Sequence, residues 1–268
     1  MKVQLKFMQN LILSEDGIFP ITKDSEGNLL KVKPSTGLSI SGTVQGEGKL
    51  AGTPSLIIRL AQCNLYCAWK LPDGNLCHCD TNFDKKKEIS IENAVKTVKN
   101  NLGSLTHIII TGGEPMLQKE ALAALTKKLK LETNTYLTLE TNGTLFDKRV
   151  ASNIDLFSIS PKLKNANVPS QKRINFETLQ SFMDIKNELG KDIQFKFVIA
   201  SADEENEIKE EFLPKLNLSN SDIFVMPLGT TVKELEQTSL IAFEMAVKNG
   251  WRFSPRLHIN LFNGTAGV

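Results

Sequence analysis

From Pro54 onward, short β-branched and aromatic runs alternate with amphipathic helical patterns, and no other feature of this 268-residue chain restricts its fold as much. The strand-like runs are residues 55–60, 107–110, 136–139, 154–159, 193–199, 223–226 and 256–261. Between them, Ser90 can cap a helix that carries Ala94, Val95, Val98 and Leu102 on one side and stops at Gly103. Residues 119–130 stack Leu122, Leu125 and Leu129, and residues 176–189 do the same with Leu179, Phe182 and Met183 before Gly190. A short helix is expected over 207–212 and a long one over 232–248, ended by Gly250. Alternation of this kind predicts an α/β protein with a parallel sheet covered by helices. About six or seven strands suit an open or partial (β/α) barrel better than a complete eightfold one. Ligands bind at the carboxyl ends of such strands, so the residues that follow each strand matter most. The first forty residues differ: Gly17, Pro20, Asp24, Gly27 and Pro34 separate short apolar pairs. They predict a small β-type extension over 1–40 ahead of one domain over 41–268.

All four cysteines fall between Cys63 and Cys79. The N-terminus has no continuous apolar stretch of secretory length, and no segment approaches the roughly 18 apolar residues that span a bilayer. The chain therefore reads as cytoplasmic, with no membrane partner, and crowded thiols in a reducing compartment point to metal or redox chemistry. A formal charge of +2 gives no sign of a nucleic-acid partner. The runs Lys85-Lys86-Lys87 and Lys127-Lys128 read as solvated faces. The cysteines alone admit two readings, a tetrahedral structural zinc and an iron–sulfur cluster.

Three further motifs stand at successive strand ends on the same rim: Thr111-Gly112-Gly113-Glu114-Pro115, Glu140-Thr141-Asn142-Gly143 and Ser160-Pro161-Lys162. Glycines let backbone approach a ligand closely. Ordinary strand-ending turns would explain any one of these motifs, but they explain all three beside the cysteines poorly.

A CxxxC loop after the first of these strands and a GGEP after the second resemble the radical S-adenosylmethionine (SAM) superfamily. Val44-Gln45-Gly46-Glu47-Gly48, Arg59, Cys63-Asn64-Leu65-Tyr66-Cys67, Cys79-Asp80-Thr81, Ser160-Pro161-Lys162 and Ser254-Pro255-Arg256-Leu257-His258 narrow the resemblance to the 7-carboxy-7-deazaguanine synthase family. It implies a partial barrel of the radical SAM type and a [4Fe-4S] cluster held by Cys63, Cys67 and Cys79. The commonest family pattern is CxxxCxxC followed by Asp-Thr; here a longer stretch containing Cys77 separates Cys67 from Cys79. Cys63, Cys77 and Cys79 form the alternative set. Cys67 is preferred because Cys77 and Cys79 are expected to point apart unless the loop is tightly turned, and His78 reads as a loop residue.

The resemblance also implies roles. SAM would chelate the cluster's open iron and be cleaved reductively to a hydrogen-abstracting radical, held by Gly113, Glu114, Ser160, Pro161, Lys162 and the loop Met226-Pro227-Leu228-Gly229. The substrate would be 6-carboxy-5,6,7,8-tetrahydropterin, read by Val44, Gln45, Gly46, Glu47 and Thr111, with the fork of Arg59 on its carboxylate. Thr81 would bind Mg²⁺, with Asp80 in its outer shell. Ring contraction with loss of ammonia would give 7-carboxy-7-deazaguanine. An electron donor such as flavodoxin or ferredoxin and a homodimer are implied as well. The C-terminal segment ending in Val268 is expected near the substrate. On the fifth strand Gln194 and Lys196 alternate with Phe195 and Phe197, and the sequence leaves open which side faces ligand. Two alternatives stand beside this reading: a glycyl-radical activating enzyme, against which QGEG and CDT argue, and a non-catalytic zinc-stabilised binding protein.

Overall fold

The computed structural model describes residues 10–79 and 85–268. The chain runs through β1 (Asn10–Phe19), an irregular excursion, β2 (Thr43–Val44), β3 (Pro54–Leu60), β4 (Ala68–Lys70), β5 (Leu76–His78) and β6 (Lys86–Ser90). Strand and helix then alternate: α1 (Ile91–Leu102), β7 (His107–Gly112), α2 (Lys119–Thr133), β8 (Tyr136–Thr141), α3 (Lys148–Ala151) and β9 (Leu156–Ile159). After α4 (Ser170–Arg173) and α5 (Phe176–Leu189) come β10 (Asp192–Ile199), α6 (Glu204–Glu207) and β11 (Ile223–Pro227). The last elements are α7 (Val232–Asn249), β12 (Arg252–Phe253) and α8 (Leu257–Phe262).

Seven strands, β3, β7, β8, β9, β10, β11 and β12, lie side by side and parallel, as the alternation predicts. On the β3 side the sheet continues antiparallel through β1 and then β6. β1 falls within the first forty residues, yet it is an interior strand of this sheet, so the extension contributes to the core domain through Leu11, Leu13 and Ile18.

Helix boundaries follow local chemistry. The Ser90 hydroxyl accepts from the Asn93 amide at the start of α1, and Thr231 and Glu234 form a reciprocal capping box on α7. Gly190 and Gly250 end α5 and α7 at φ +61° and +66°, values a side chain resists. One expected strand is absent. Residues 256–261 alternate apolar and polar, but Leu257–Phe262 is helix, and the last strand is Arg252–Phe253. Pro255 interrupts extension after β12, and the Leu257 amide is bound to the Gly46 carbonyl at 2.9 Å, which draws the chain off the sheet.

Strand periodicity sorts the two faces. Leu56, Ile58 and Leu60 of β3 and Ile108 and Ile110 of β7 join the helices α1 and α2 in the main core. Their neighbours Ile57, Arg59, Ile109 and Thr111 point to the opposite face, where they line a cavity. The same rule settles β10: Phe195, Phe197 and Ile199 enter the core, while Lys196 and Val198 face the cavity.

Candidate active site

A cavity of about 1330 Å³, counting space open to solvent, lies over the carboxyl-end halves of the parallel strands. A second space of about 990 Å³ adjoins it beneath the C-terminal segment and shares Arg59, Cys79, Arg256 and His258 with it. Val268 is buried and borders both.

One wall is the cysteine loop. Just after β3 the backbone turns through Gln62 at φ +74°, a strained conformation for a residue with a side chain, and this turn presents Cys63. The Gly113 and Glu114 amides donate to the carbonyls of Leu60 (3.2 Å) and Gln62 (2.8 Å), which lays the GGEP loop against the thiol loop. A Cβ on Gly113 would stand 2.0 Å from the Gln62 oxygen and 2.9 Å from the Cys63 Cβ, so only glycine allows this approach. β4 and β5 form a hairpin in which Ala68 pairs with His78 and Trp69 with Cys77, and Cys67 and Cys79 flank its open end. Residues two apart on a strand share a face, so the expectation that Cys77 and Cys79 diverge fails on strand geometry itself. All four thiols border the cavity. They differ in depth: Cys77 is buried with Leu65, Trp69 and Leu71, whereas Cys63, Cys67 and Cys79 are partly exposed. Burial pushes the Cys63 and Cys67 thiols up, and the Lys162 ammonium opposes that shift at both.

Lys162 belongs to the loop after β9. Its Nζ donates to the Ser160 hydroxyl at 3.0 Å and lies 5.9 Å from the centre of the Trp69 ring. The loop is held from behind. Buried Arg173 donates to the Lys162 carbonyl at 2.7 Å and pairs with Glu207 at 2.9 Å, and Glu207 in turn accepts from the Lys164 amide. Ser160, Lys162, Met226 and Leu228 border the cavity, but Pro161, Pro227 and Gly229 do not.

Glu114 sits beneath the cavity lining. Its carboxylate is fully buried and accepts from the Met116 amide, the Thr141 hydroxyl and the Asn142 amide, so it ties two strand-end loops together rather than lining the cavity. Burial pushes this carboxyl up to about 6 despite those donors.

The opposite wall is charged. Val44, Gln45, Gly46 and Glu47 border the cavity at the end of β2. The Glu47 carboxylate meets the Lys196 ammonium in a buried pair, accepts from Arg256 Nε at 3.0 Å, and lies 4.0 Å from His258 Nε2. Burial would raise its pKa, but Lys196, Arg256 and His258 together hold it well below the usual carboxylate range. Burial would likewise neutralise Lys196, and the Glu47 and Glu140 charges keep it a cation, with Glu140 at 3.9 Å. Glu140 also accepts from Thr111 at 2.9 Å and Gln45 at 3.3 Å. Arg59 lies 3.3 Å from Asp16 and stacks over Phe19, and its Nε meets no acceptor among the described residues. Thr81 and Asp80 lie outside the described residues.

Comparison with known proteins places this geometry in a family. A model of the radical SAM superfamily matches residues 58–238. A 7-carboxy-7-deazaguanine synthase of Halobacterium salinarum is 32% identical over 82% of this chain and 88% of its own length. Another from Rhodopirellula baltica is 30% identical over 84% and 85%. The chain belongs to the 7-carboxy-7-deazaguanine synthase family of radical SAM enzymes. Among solved structures, QueE from Escherichia coli superposes with a TM-score of 0.58 at 21% identity, over 91% of this chain and 93% of that one, a likeness of fold. Family membership displaces the glycyl-radical activating enzyme and the zinc-stabilised binding protein as readings of the cysteines, and it implies a [4Fe-4S] cluster and SAM as cofactors.

The residues present fit those cofactors. Among the described residues no three His, Cys, Asp or Glu side chains gather to enclose a single metal ion. The four thiols border one cavity beside Gly113 and Lys162, and thiolates are the donors an iron–sulfur cluster takes. As a 7-carboxy-7-deazaguanine synthase family member, the chain also shows residues that sequence reasoning passed over or left open: Trp69, Glu140, Asn142, Lys196, Arg256 and His258 all border the cavity. For Lys196 the signal was present, a cation alternating with phenylalanines on a strand. Glu140 and Asn142 stood in a strand-end motif with no role assigned, and for Trp69 only the fold brings it to the site.

No helix among the described residues is long and apolar enough to cross a membrane.

Proposed function

We propose that this enzyme converts 6-carboxy-5,6,7,8-tetrahydropterin to 7-carboxy-7-deazaguanine by Mg²⁺-assisted radical ring contraction with loss of ammonia. One observation carries the reading: a single cavity has thiols and the Lys162 loop on one wall and the Gln45–Glu47–Glu140–Lys196 network on the other. A radical reaction needs that juxtaposition, because the hydrogen-abstracting centre and the substrate carbon must be held in contact with water excluded.

In this reading Cys63, Cys67 and Cys79 hold the cluster, and Cys77 supports the hairpin from within the apolar cluster beside it. The bound cluster and SAM would supply the hydrogen-abstracting chemistry. Gly113 gives the backbone approach, and Ser160, Lys162, Met226 and Leu228 hold the SAM side. Pro161, Pro227 and Gly229 shape those turns, and Glu114 fixes them from below. On the substrate side, Val44, Gln45, Gly46, Glu47 and Thr111 meet the donors and acceptors of the pterin edge. Arg59, whose Nε meets no acceptor among the described residues, takes the carboxylate. Ordered charge in a buried network costs little reorganisation when substrate arrives. Thr81 binds Mg²⁺. A flavodoxin- or ferredoxin-type donor, a homodimer and a cytoplasmic setting complete the proposal.

The test is anaerobic: iron and sulfide reconstitution, then dithionite, SAM, Mg²⁺ and the pterin. 7-Carboxy-7-deazaguanine is the expected product; 5′-deoxyadenosine without it would refute the substrate. Thr81→Ala should impair turnover and spare reductive SAM cleavage, and equal loss of both would remove the magnesium role.

A further inference from the structure

Two loops that reach the cavity, residues 44–48 and 226–229, are far apart in sequence. One side chain grips both. Arg256 Nε donates to the Glu47 carboxylate at 3.0 Å, and its Nη1 donates to the Gly229 carbonyl. The side chain is only 11% exposed and borders the cavity between the two loops. Its own segment is fastened to the first loop by further contacts. The Leu257 amide donates to Gly46 at 2.9 Å, and the Gly48 amide donates to the buried Ser254 hydroxyl at 2.8 Å. A Cβ on Gly46 would stand 1.9 Å from His258 Nδ1, so this closure has no slack.

We propose that Arg256 is a positioning residue that couples the pterin loop to the SAM loop, so that occupancy of one side strengthens binding on the other. The inference rests on the substrate and cofactor assignment above and adds to it a link between the two sites. The physical basis is the shape of guanidinium. Two hydrogen bonds leave a rigid plane from different nitrogens, so the positions of Glu47 and the Gly229 carbonyl are fixed relative to one another. A ligand that orders Glu47 thereby orders residues 226–229, and the second ligand meets a loop whose freedom is already spent. Coupling of this kind is reciprocal. Lysine keeps the charge but lacks the rigid planar fork, so it does not fix the two acceptors relative to one another.

The experiment measures SAM affinity of anaerobically reconstituted, unreduced protein with and without saturating 6-carboxytetrahydropterin. In the wild type the pterin should tighten SAM binding by roughly 5- to 100-fold. In Arg256→Lys the factor should fall to about 1–2 while each ligand alone still binds measurably, a pattern that general destabilisation does not give. A wild-type factor of one, or an unchanged factor in the variant, overturns the proposal. Wild-type protein that binds no pterin at all would instead sink the substrate assignment. Should the variant not fold, hydrogen exchange in wild-type protein without a cluster decides the matter. Pterin alone should protect the amides of 226–230, and unchanged protection refutes the link.

Discussion

At the scale of single residues, the cavity holds charges that water would otherwise solvate, and each survives only through its neighbours. Glu47 and Lys196 are the clearest pair, since each alone would be driven neutral by burial. Lys196→Met should therefore destabilise the protein by about 1–3 kcal/mol in urea unfolding, because it leaves the buried Glu47 carboxylate with Arg256 and His258 alone. Glu47→Gln together with Lys196→Met should cost less than the two single changes summed, and strict additivity would mean the pair is not coupled. The thiols separate by depth. Cys67→Ser should abolish cluster incorporation, measured as iron and sulfide per chain, while Cys77→Ser should retain most of it. The reverse result would assign the middle ligand to Cys77. Gly113→Ala tests the contact between the two loops: its Cβ has nowhere to go, so iron content should fall several-fold although the sheet stays folded.

At the scale of elements, the strands are pinned at their amino ends as well as at the site. His107, at the start of β7, lies between the Ser55 hydroxyl on β3 at 2.7 Å and the Thr138 hydroxyl on β8 at 2.8 Å, so one imidazole bridges three strands. Burial lowers its pKa to about 4. The unfolded chain thus binds a proton near pH 6.5 that the folded chain refuses until about pH 4. Stability from this group is complete above pH 6.5 and is lost as pH falls through that window, by up to about 3 kcal/mol. Denaturation of wild type and His107→Gln from pH 7 to pH 4 should show the wild type losing its advantage; parallel curves would contradict the buried neutral imidazole. Most of these elements were legible in the sequence, because β7, β8, β10, α5 and α7 carry strong periodicity and clear caps. Residues 256–261 were not, since Leu257, Ile259 and Leu261 alternate like a strand and only the contact with Gly46 turns them into helix.

At the scale of the whole molecule, β1 joins the N-terminal stretch to the active-site sheet. It covers β3 with Leu11, Leu13 and Ile18 and carries Asp16 to Arg59. Removing β1 and all that precedes it should cost soluble expression rather than activity alone, measured as soluble yield and thermal unfolding; a well-folded truncated protein would show the strand to be dispensable. The sequence by itself determined the parallel α/β architecture, the rim on which the motifs sit, and the crowding of four thiols after the first parallel strand, because periodicity and strand-end glycines are local properties of the chain. Only the tertiary structure decided which charges meet. Glu47 finds Lys196, 149 positions away, and Arg256, 209 positions away. Glu114 turns inward to its loop partners, and Trp69 faces the cavity beside Lys162. Such pairings depend on strand order and register, which bring distant segments into one low-dielectric space where a charge persists only beside its partner.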